Sequence, residues 1–409
     1  MASDDRVTAP AIILVASNLA PAALAFPPEA ELGRFVRAGG MTYEIADEQM
    51  SQNHATVRWE RGSWTIHDLD SRNGSYVNGE RIHGEVKRRG DAVVRIGQSI
   101  FLLVVDGRGH PAVTAGDPVV GPELGRAYDR IRSHARSRGQ LLLQGGAGIG
   151  KQLAAREFHA ASGRSGPFHV VHCGTIHGVA DRLVFGGKKG IAETIGHLQM
   201  ARGGTLYLAD LPALDQTAQA SLVKLLTARS TETNLVCAGA ELQLAVAEGR
   251  LREDLHQQLA AVEVTLPPLR MRRVDLVRLI ELEAGAATLH PRLVESCVLR
   301  PWPGHVRELR TAIRHAASRA IAEDRDLIRP EDLLETAGLP PGSSSVETSV
   351  ERKTGGHQVD LGPAALAEAM QRANGSLSVA ARALSVHRTQ LAKLLDEAGL
   401  PYEGLTHDD

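Results

Sequence analysis

The spacing of hydrophobic positions changes character along the chain. Between residues 9 and 105 apolar residues fall in short runs, AIILVAS, HATVRW, SWTIHDL, AVVRIG and SIFLLVV, separated by turn-forming residues. Short, regularly punctuated runs of this kind predict an antiparallel β-sandwich. From 123 to 273 buried-type runs (QLLLQ, FHVVHC, TLYLAD, NLVCAG, VEVTLP) alternate with helical stretches such as KQLAAREFHAAS and AQASLVKLLTA. That alternation predicts an α/β core with a parallel sheet covered by helices. Residues 274–336 keep helical periodicity without strand signals, as a small all-α lid would. The segment 361–402 carries helical patterns split at Asn374-Gly375 and Ser385-Val386. Stretches rich in Gly, Pro and Ser, 106–122 and 337–360, read as linkers. The expected architecture is therefore multidomain.

Composition narrows the function classes. With 409 residues the chain exceeds one ordinary core. Its formal net charge of -2 provides no global basic field, so any nucleic-acid binding has to be local. Cys173, Cys237 and Cys297 lie far apart with no CxxC pair, which argues against a zinc site or disulfide framework and fits a reducing cytoplasm. No metal-ligand set is predicted. The longest apolar stretch, Ala9 to Phe26, is interrupted by Pro21 and contains Ser17 and Asn18, so it reads as two strands and not as a bilayer span. MASDDR lacks the basic start of a signal peptide. Cytoplasmic location without a membrane partner is the expectation.

Three motifs carry chemistry. The first is Gly33-Arg34, then Ser51-Gln52-Asn53-His54, then DLDSRNGSYVNG at 68–79. A phosphate group needs a fixed guanidinium and short neutral donors. The segment resembles the forkhead-associated (FHA) domain, a β-sandwich whose loops bind phosphothreonine peptides. The resemblance implies that Arg34 and Ser51 contact phosphate, that Asn73 holds the peptide backbone, and that His54 braces the loop from inside. Gln52 stands where that family usually has a basic residue, which should weaken phosphate binding without abolishing it. A plain well-made Asn-Gly turn is the alternative for DLDSRNG.

The second motif follows the run QLLLQ: Gly145-Gly146-Ala147-Gly148-Ile149-Gly150-Lys151-Gln152, opening a helix. The G-x-x-x-x-G-K pattern in strand–loop–helix context predicts phosphate bound by backbone N–H groups and a helix N-terminus, with Lys151 reaching the β/γ-phosphates. Gln152 replaces the usual magnesium-binding Ser/Thr. Together with FHVVHCGTI, VFGGKKG, ARGGTLYLADL, GRLREDL, LPPLRMR and RPWPGHVRELR, this segment resembles the AAA+ domain of sigma-54-dependent transcriptional activators across 123–336. Those proteins form rings on DNA and use ATP to remodel polymerase carrying sigma-54. The resemblance implies ATP as ligand and Arg307 as a γ-phosphate contact.

The departures from that family are specific. Its acidic pair, which holds magnesium and polarises water, is Ala209-Asp210 here, and its polar sensor is Ala240. Of two arginines given in trans, Arg252 is kept and the other is Gln258. The sigma-54 contact hexapeptide aligns with Gly190-Ile191-Ala192-Glu193-Thr194-Ile195, without the aromatic tip, ahead of Gly196. Asp210 and Arg252 are what remains of the catalytic set. Magnesium coordination is compromised, and efficient hydrolysis and standard remodelling are not expected.

The third motif, LSVAARALSVHRTQLAKLL, follows an amphipathic stretch with Leu361, Ala365, Leu366 and Ala369 on one face. It resembles a Fis-type helix-turn-helix, whose second helix enters the major groove. The resemblance places Ser385, His387, Arg388, Thr389, Gln390 and Lys393 at the DNA, with Arg388 and Gln390 suited to guanine and adenine edges. The segment is only weakly basic, so tight binding should require homo-oligomerisation. The combined expectation is a DNA-binding regulator that takes its signal from a phosphothreonine protein. The alternatives are an active ATPase driving promoter opening by sigma-54 polymerase, and a phosphothreonine adaptor without nucleotide.

Overall fold

The structure, a computed structural model, describes residues 9–17, 20–110, 119–137, 139–176, 178–189, 192–228 and 232–340, and isolated positions 367, 370, 371 and 395. The chain divides into a unit ending at Thr348 and a second unit from Ser349. The predicted C-terminal helices and their six DNA-facing candidates, Ser385, His387, Arg388, Thr389, Gln390 and Lys393, lie outside the described residues.

The short N-terminal runs form twelve strands: β1 (Ala11–Ser17), β2 (Ala20–Phe26), β3 (Glu29–Leu32), β4 (Phe35–Ala38), β5 (Met41–Glu44), β6 (Ala55–Glu60), β7 (Ser63–Asp68), β8 (Ser75–Val77), β9 (Glu80–Arg81), β10 (Glu85–Arg88), β11 (Ala92–Ile96) and β12 (Ser99–Val104). They build a sandwich of two six-stranded antiparallel sheets, in the orders β2-β1-β12-β11-β8-β9 and β10-β7-β6-β3-β4-β5. Ala9 to Phe26 is a pair of strands, β1 and β2, as its broken pattern implies.

The central segment supplies α1 (Pro122–Ser137), β13 (Gln140–Gln144), α2 (Lys151–Ala161), β14 (Phe168–His172), α3 (Ala180–Phe185), β15 (Gly187–Lys189), β16 (Ala192–Thr194), α4 (His197–Met200), β17 (Thr205–Ala209), α5 (Gln216–Ala228), β18 (Asn234–Gly239), α6 (Leu242–Ala247), α7 (Glu253–Ala260) and β19 (Glu263–Thr265). Its five main strands pair in parallel in the order β14-β17-β18-β13-β19. Continuous apolar runs such as Leu141–Leu143 suit them, because helices cover both sheet faces. The short segments β15 and β16 make a separate hairpin where the contact loop was expected.

The lid consists of α8 (Arg273–Ala284), β20 (Thr288–Leu289), α9 (Pro291–Leu299), α10 (His305–Ala322) and β21 (Leu327–Ile328). Two details differ from the expectation. The lid is not purely helical, since β20 and β21 form a two-residue parallel pair too short to leave an alternation signal. Order also reaches into the segment read as a linker: Asp106 bridges to Ala9, Val119 is buried, and α1 begins on Pro122. Proline suits a first helical turn, where its missing N–H is no loss.

The sandwich and the lid share one hydrophobic core. Along β12, Phe101 and Leu103 point into the sandwich, whereas Ile100, Leu102 and Val104 pack with Leu276, Ile280 and Val298 of the lid. Ile13 and Val15 of β1 and Val93 of β11 join the same cluster. These strands are apolar on both sides because both sides are buried.

Candidate functional site

Two of the sequence motifs come together as candidate sites on this body. The first lies at the loops joining β3 to β4, β5 to β6 and β7 to β8. Gly33 is required there, since a Cβ would sit 2.1 Å from the Gln52 carbonyl oxygen. This close approach brings Arg34 against the loop at 48–51. The Arg34 Nε donates to the Met50 carbonyl at 3.0 Å and its Nη2 to that of Glu48 at 3.3 Å. The Ser51 Oγ accepts from the Arg72 N–H at 3.3 Å, and Asn73 Nδ2 donates to the Gln49 carbonyl at 2.7 Å. Arg34, Ser51 and Asn73 are thus gathered around one loop, with Gln52 exposed beside them.

His54 is the brace. It is fully buried, its Nδ1 accepts the Ser51 N–H at 3.0 Å, and its Nε2 lies 3.3 Å from the Gly74 carbonyl. That pattern needs the neutral ring, and burial pushes its pKa below the usual histidine value. Asp68 fixes the other loop by accepting from the hydroxyls of Ser71 and Ser75, each at 2.6 Å. Burial alone would raise its pKa, but these hydroxyls outweigh it and hold the carboxyl below its ordinary value.

The second site is a cavity of about 660 Å³ outside the C-terminal ends of the parallel strands, where ligands of such sheets bind. Residues Ala147 to Gln152, Asp210 and Arg307 all line it. Gly148 and Gly150 adopt φ values of +78° and +109°, open to glycine at little strain. A Cβ on Gly148 would also meet the Gly304 carbonyl oxygen at 2.5 Å, so the start of α10 rests on the phosphate-type loop. Gly145 and Gly146 offer their carbonyls to Lys151 Nζ at 2.7 and 2.9 Å. Burial lowers the pKa of Lys151; Asp210 opposes that and Arg307 adds to it, which places both charges close by.

Sequence reasoning overlooked several lining residues. Val119, Leu124, Tyr128 and Leu279 give the cavity an apolar end, and His172 sits at the end of β14 beside Ala209. The position of His172 at the C-terminal end of a parallel strand was the available signal. Ala209 and Ala240 line the cavity and bring no polar side chain to it. Arg252 does not line it; the side chain is chelated by Asp254 at 3.0 and 2.7 Å, on the surface.

Magnesium, implied by the resemblance, takes hard oxygen ligands in near-octahedral array. Among the described lining residues Asp210 is the one carboxylate, and Gln152 and Ala209 stand where a hydroxyl and a second carboxylate would be needed. The donor set does not fit a dedicated magnesium site. The three cysteines are free and buried, and burial raises the Cys173 thiol to about 12, which leaves it unreactive.

Fold and cavity together define a P-loop α/β core of the AAA+ kind joined to a β-sandwich. Residues 120–265 match the sigma-54 interaction domain family, and residues 32–97 match the FHA domain family. The chain is 33% identical over 236 residues to the response regulator protein FleR of Pseudomonas aeruginosa, covering 50% of this chain and 49% of that protein. It is 32% identical over 314 residues to the transcriptional regulatory protein XylR of Pseudomonas putida, covering 66% and 55%. The chain thus spans about half the length of these curated relatives. In fold it is similar to the crystal structure of NtrX from Brucella abortus in complex with ATP, with TM-score 0.51 and 24% identity over 72% of this chain and 70% of that one. Among the described residues no helix is long and apolar enough to cross a membrane.

Proposed function

We propose that this chain is a transcriptional regulator that receives its signal by binding a phosphothreonine protein, holds ATP without turning it over efficiently, and docks on double-stranded DNA through residues 361–402. The observation that carries the reading is the split within the cavity. Lys151, Arg307 and Ala147 to Gly150 line it, with Gly145 and Gly146 outside the lining, while Ala209 and Ala240 stand where the resembled family carries polar groups. Binding a triphosphate requires cations and inward backbone N–H groups. Hydrolysis further requires a charge-stabilised, correctly placed water, and Asp210 is a methylene shorter than the family's glutamate.

The names of the relatives FleR and XylR support a regulatory role. The gathering of Arg34, Ser51 and Asn73 supports phosphopeptide capture. DNA contact by Arg388 and Gln390 rests on the resemblance of 377–395 to a Fis-type unit. Arg252, exposed and ordered by Asp254, is available to a neighbouring copy in a homo-oligomer.

The test pairs calorimetry of ATP with a phosphate-release assay at high protein concentration. Binding without turnover is expected. Turnover at the level of active sigma-54 activators, with transcript production from a sigma-54 promoter, would overturn the reading in favour of a working motor. For the DNA arm, fluorescence anisotropy with enriched genomic fragments should show sequence preference that Arg388→Ala removes.

A further inference from the structure

We infer that the phosphopeptide loops and the nucleotide cavity are energetically coupled through the lid, so that each ligand tightens binding of the other. The inference rests on the proposed function, which names both ligands, and goes beyond it by assigning a route between them.

The route is buried through its middle, at Asp47, Arg95, Glu295, Trp302 and His305. It begins at Asp47, whose carboxylate accepts from the Gln49 N–H at 2.9 Å, directly beneath the loop holding Arg34, Ser51 and Asn73. The same carboxylate accepts from the Gln98 N–H at 2.8 Å and the Ser99 hydroxyl at 2.7 Å, on the turn between β11 and β12. That turn leaves no slack, since a Cβ on Gly97 would lie 2.9 Å from the Asp47 oxygen. Any shift of the phosphate-type loop is therefore passed to the strands whose outer faces pack on the lid.

The second joint is Arg95. It is buried in β11, stacks on the Tyr76 ring at 3.8 Å, and donates from Nε to Glu295 of α9 at 2.6 Å. Both side chains are under a tenth exposed, so the pair fixes one register between sandwich and lid. The third joint is the start of α10, where His305 and Arg307 meet the phosphate-type loop at Gly146 and Gly148. Trp302, fully buried and donating from Nε1 to the Cys297 carbonyl at 2.7 Å, ties α9 to α10 between these joints.

The lid is thus clamped from both sides. A phosphate on the sandwich loops orders one side, and a nucleotide bridging the loop and Arg307 orders the other. Whichever ligand arrives first removes freedom that the second would otherwise have to remove, which makes the coupling positive. Linkage demands that the two effects be equal.

The experiment uses the full chain, a phosphothreonine peptide selected from a degenerate library with its unphosphorylated twin as control, and ADP with a fluorescent ADP analogue as reporter. Peptide affinity is measured with and without saturating ADP, and analogue affinity with and without saturating peptide. Both should rise by the same factor, about fivefold or more. Glu295→Gln should pull that factor toward one while leaving each single-ligand affinity near its original value. Asp47→Asn provides an independent break of the same route should the first variant fail to fold. Two bound ligands with independent or mutually weakened affinities would overturn the coupling and leave the proposed function standing. Failure of either ligand to bind at all would overturn both.

Discussion

The FHA loops and the cavity of the α/β core are both built on loops at strand ends, yet they differ in the polar side chains they gather. At the FHA loops Arg34 and Asn73 are held by backbone carbonyls, and the loops themselves by buried His54 and by Asp68. Ala147 to Gly150, Lys151 and Arg307 line the cavity, but the side chains of Ala209 and Ala240 offer no oxygen. Binding tolerates such loss because it draws on many distributed donors. Catalysis does not, because it needs particular acids at particular distances.

The comparison can be broken at its shared foundation first. Glu295→Ala leaves Arg95 buried without its carboxylate, which should cost about 3–5 kcal/mol. Thermal unfolding followed by circular dichroism should show an earlier transition; an unchanged profile would mean that sandwich and lid are independent. Next in size is Arg34→Ala. On the proposed reading its guanidinium gives the phosphate at least one charge-assisted hydrogen bond, at about 1.5–3 kcal/mol, which predicts phosphopeptide binding weaker by about tenfold or more. ADP affinity measured without peptide should stay as it was.

The cavity gives the reciprocal test. Lys151→Ala should weaken ATP binding about tenfold or more by calorimetry, with phosphopeptide affinity in nucleotide-free buffer unchanged. Because the donor set does not fit magnesium, chelating the metal with EDTA should alter ATP affinity far less than this substitution does. A large loss on chelation would show that Asp210 recruits the metal after all.

Two smaller effects sharpen the FHA side. The pKa of His54 is held below that of an exposed histidine, so the unfolded chain takes up a proton before the folded one does. Stability is fully present above about pH 6.5 and falls as pH drops toward the lowered value. His305 and His290 are shifted in the same direction and add to the trend. The melting temperature should therefore decline between pH 7 and pH 5.5; a flat or rising profile would contradict the neutral brace. The smallest expected change is a gain. Gln52→Arg restores a cation beside the loop and should tighten phosphopeptide binding by a few-fold at low salt, fading as salt screens the exposed charge.

Much of this was legible in residue order. The strand runs AIILVAS, QLLLQ and NLVCAG coincide with β1, β13 and β18, because local alternation and burial pattern follow from the strand itself. The loop GGAGIGK announces its own geometry, since only glycine accepts the backbone angles at Gly148 and Gly150 without strain. Other features left weaker marks. The pair β20–β21 is too short to show a period, and His172 reaches the cavity only because β14 lies beside β17.

By itself, then, the sequence determined most of the described strands and helices and the two motif loops, and it carries Ala209 and Ala240 where the resemblance implies polar residues. The tertiary structure alone decided that the sandwich leans on the lid. The doubly apolar pattern of SIFLLV is the trace of that contact, but a pattern names no partner. Arg95 and Glu295 stand 200 residues apart, and nothing local to either says that the other exists. Only folding, which buries both where an unpaired charge is untenable, makes them a pair.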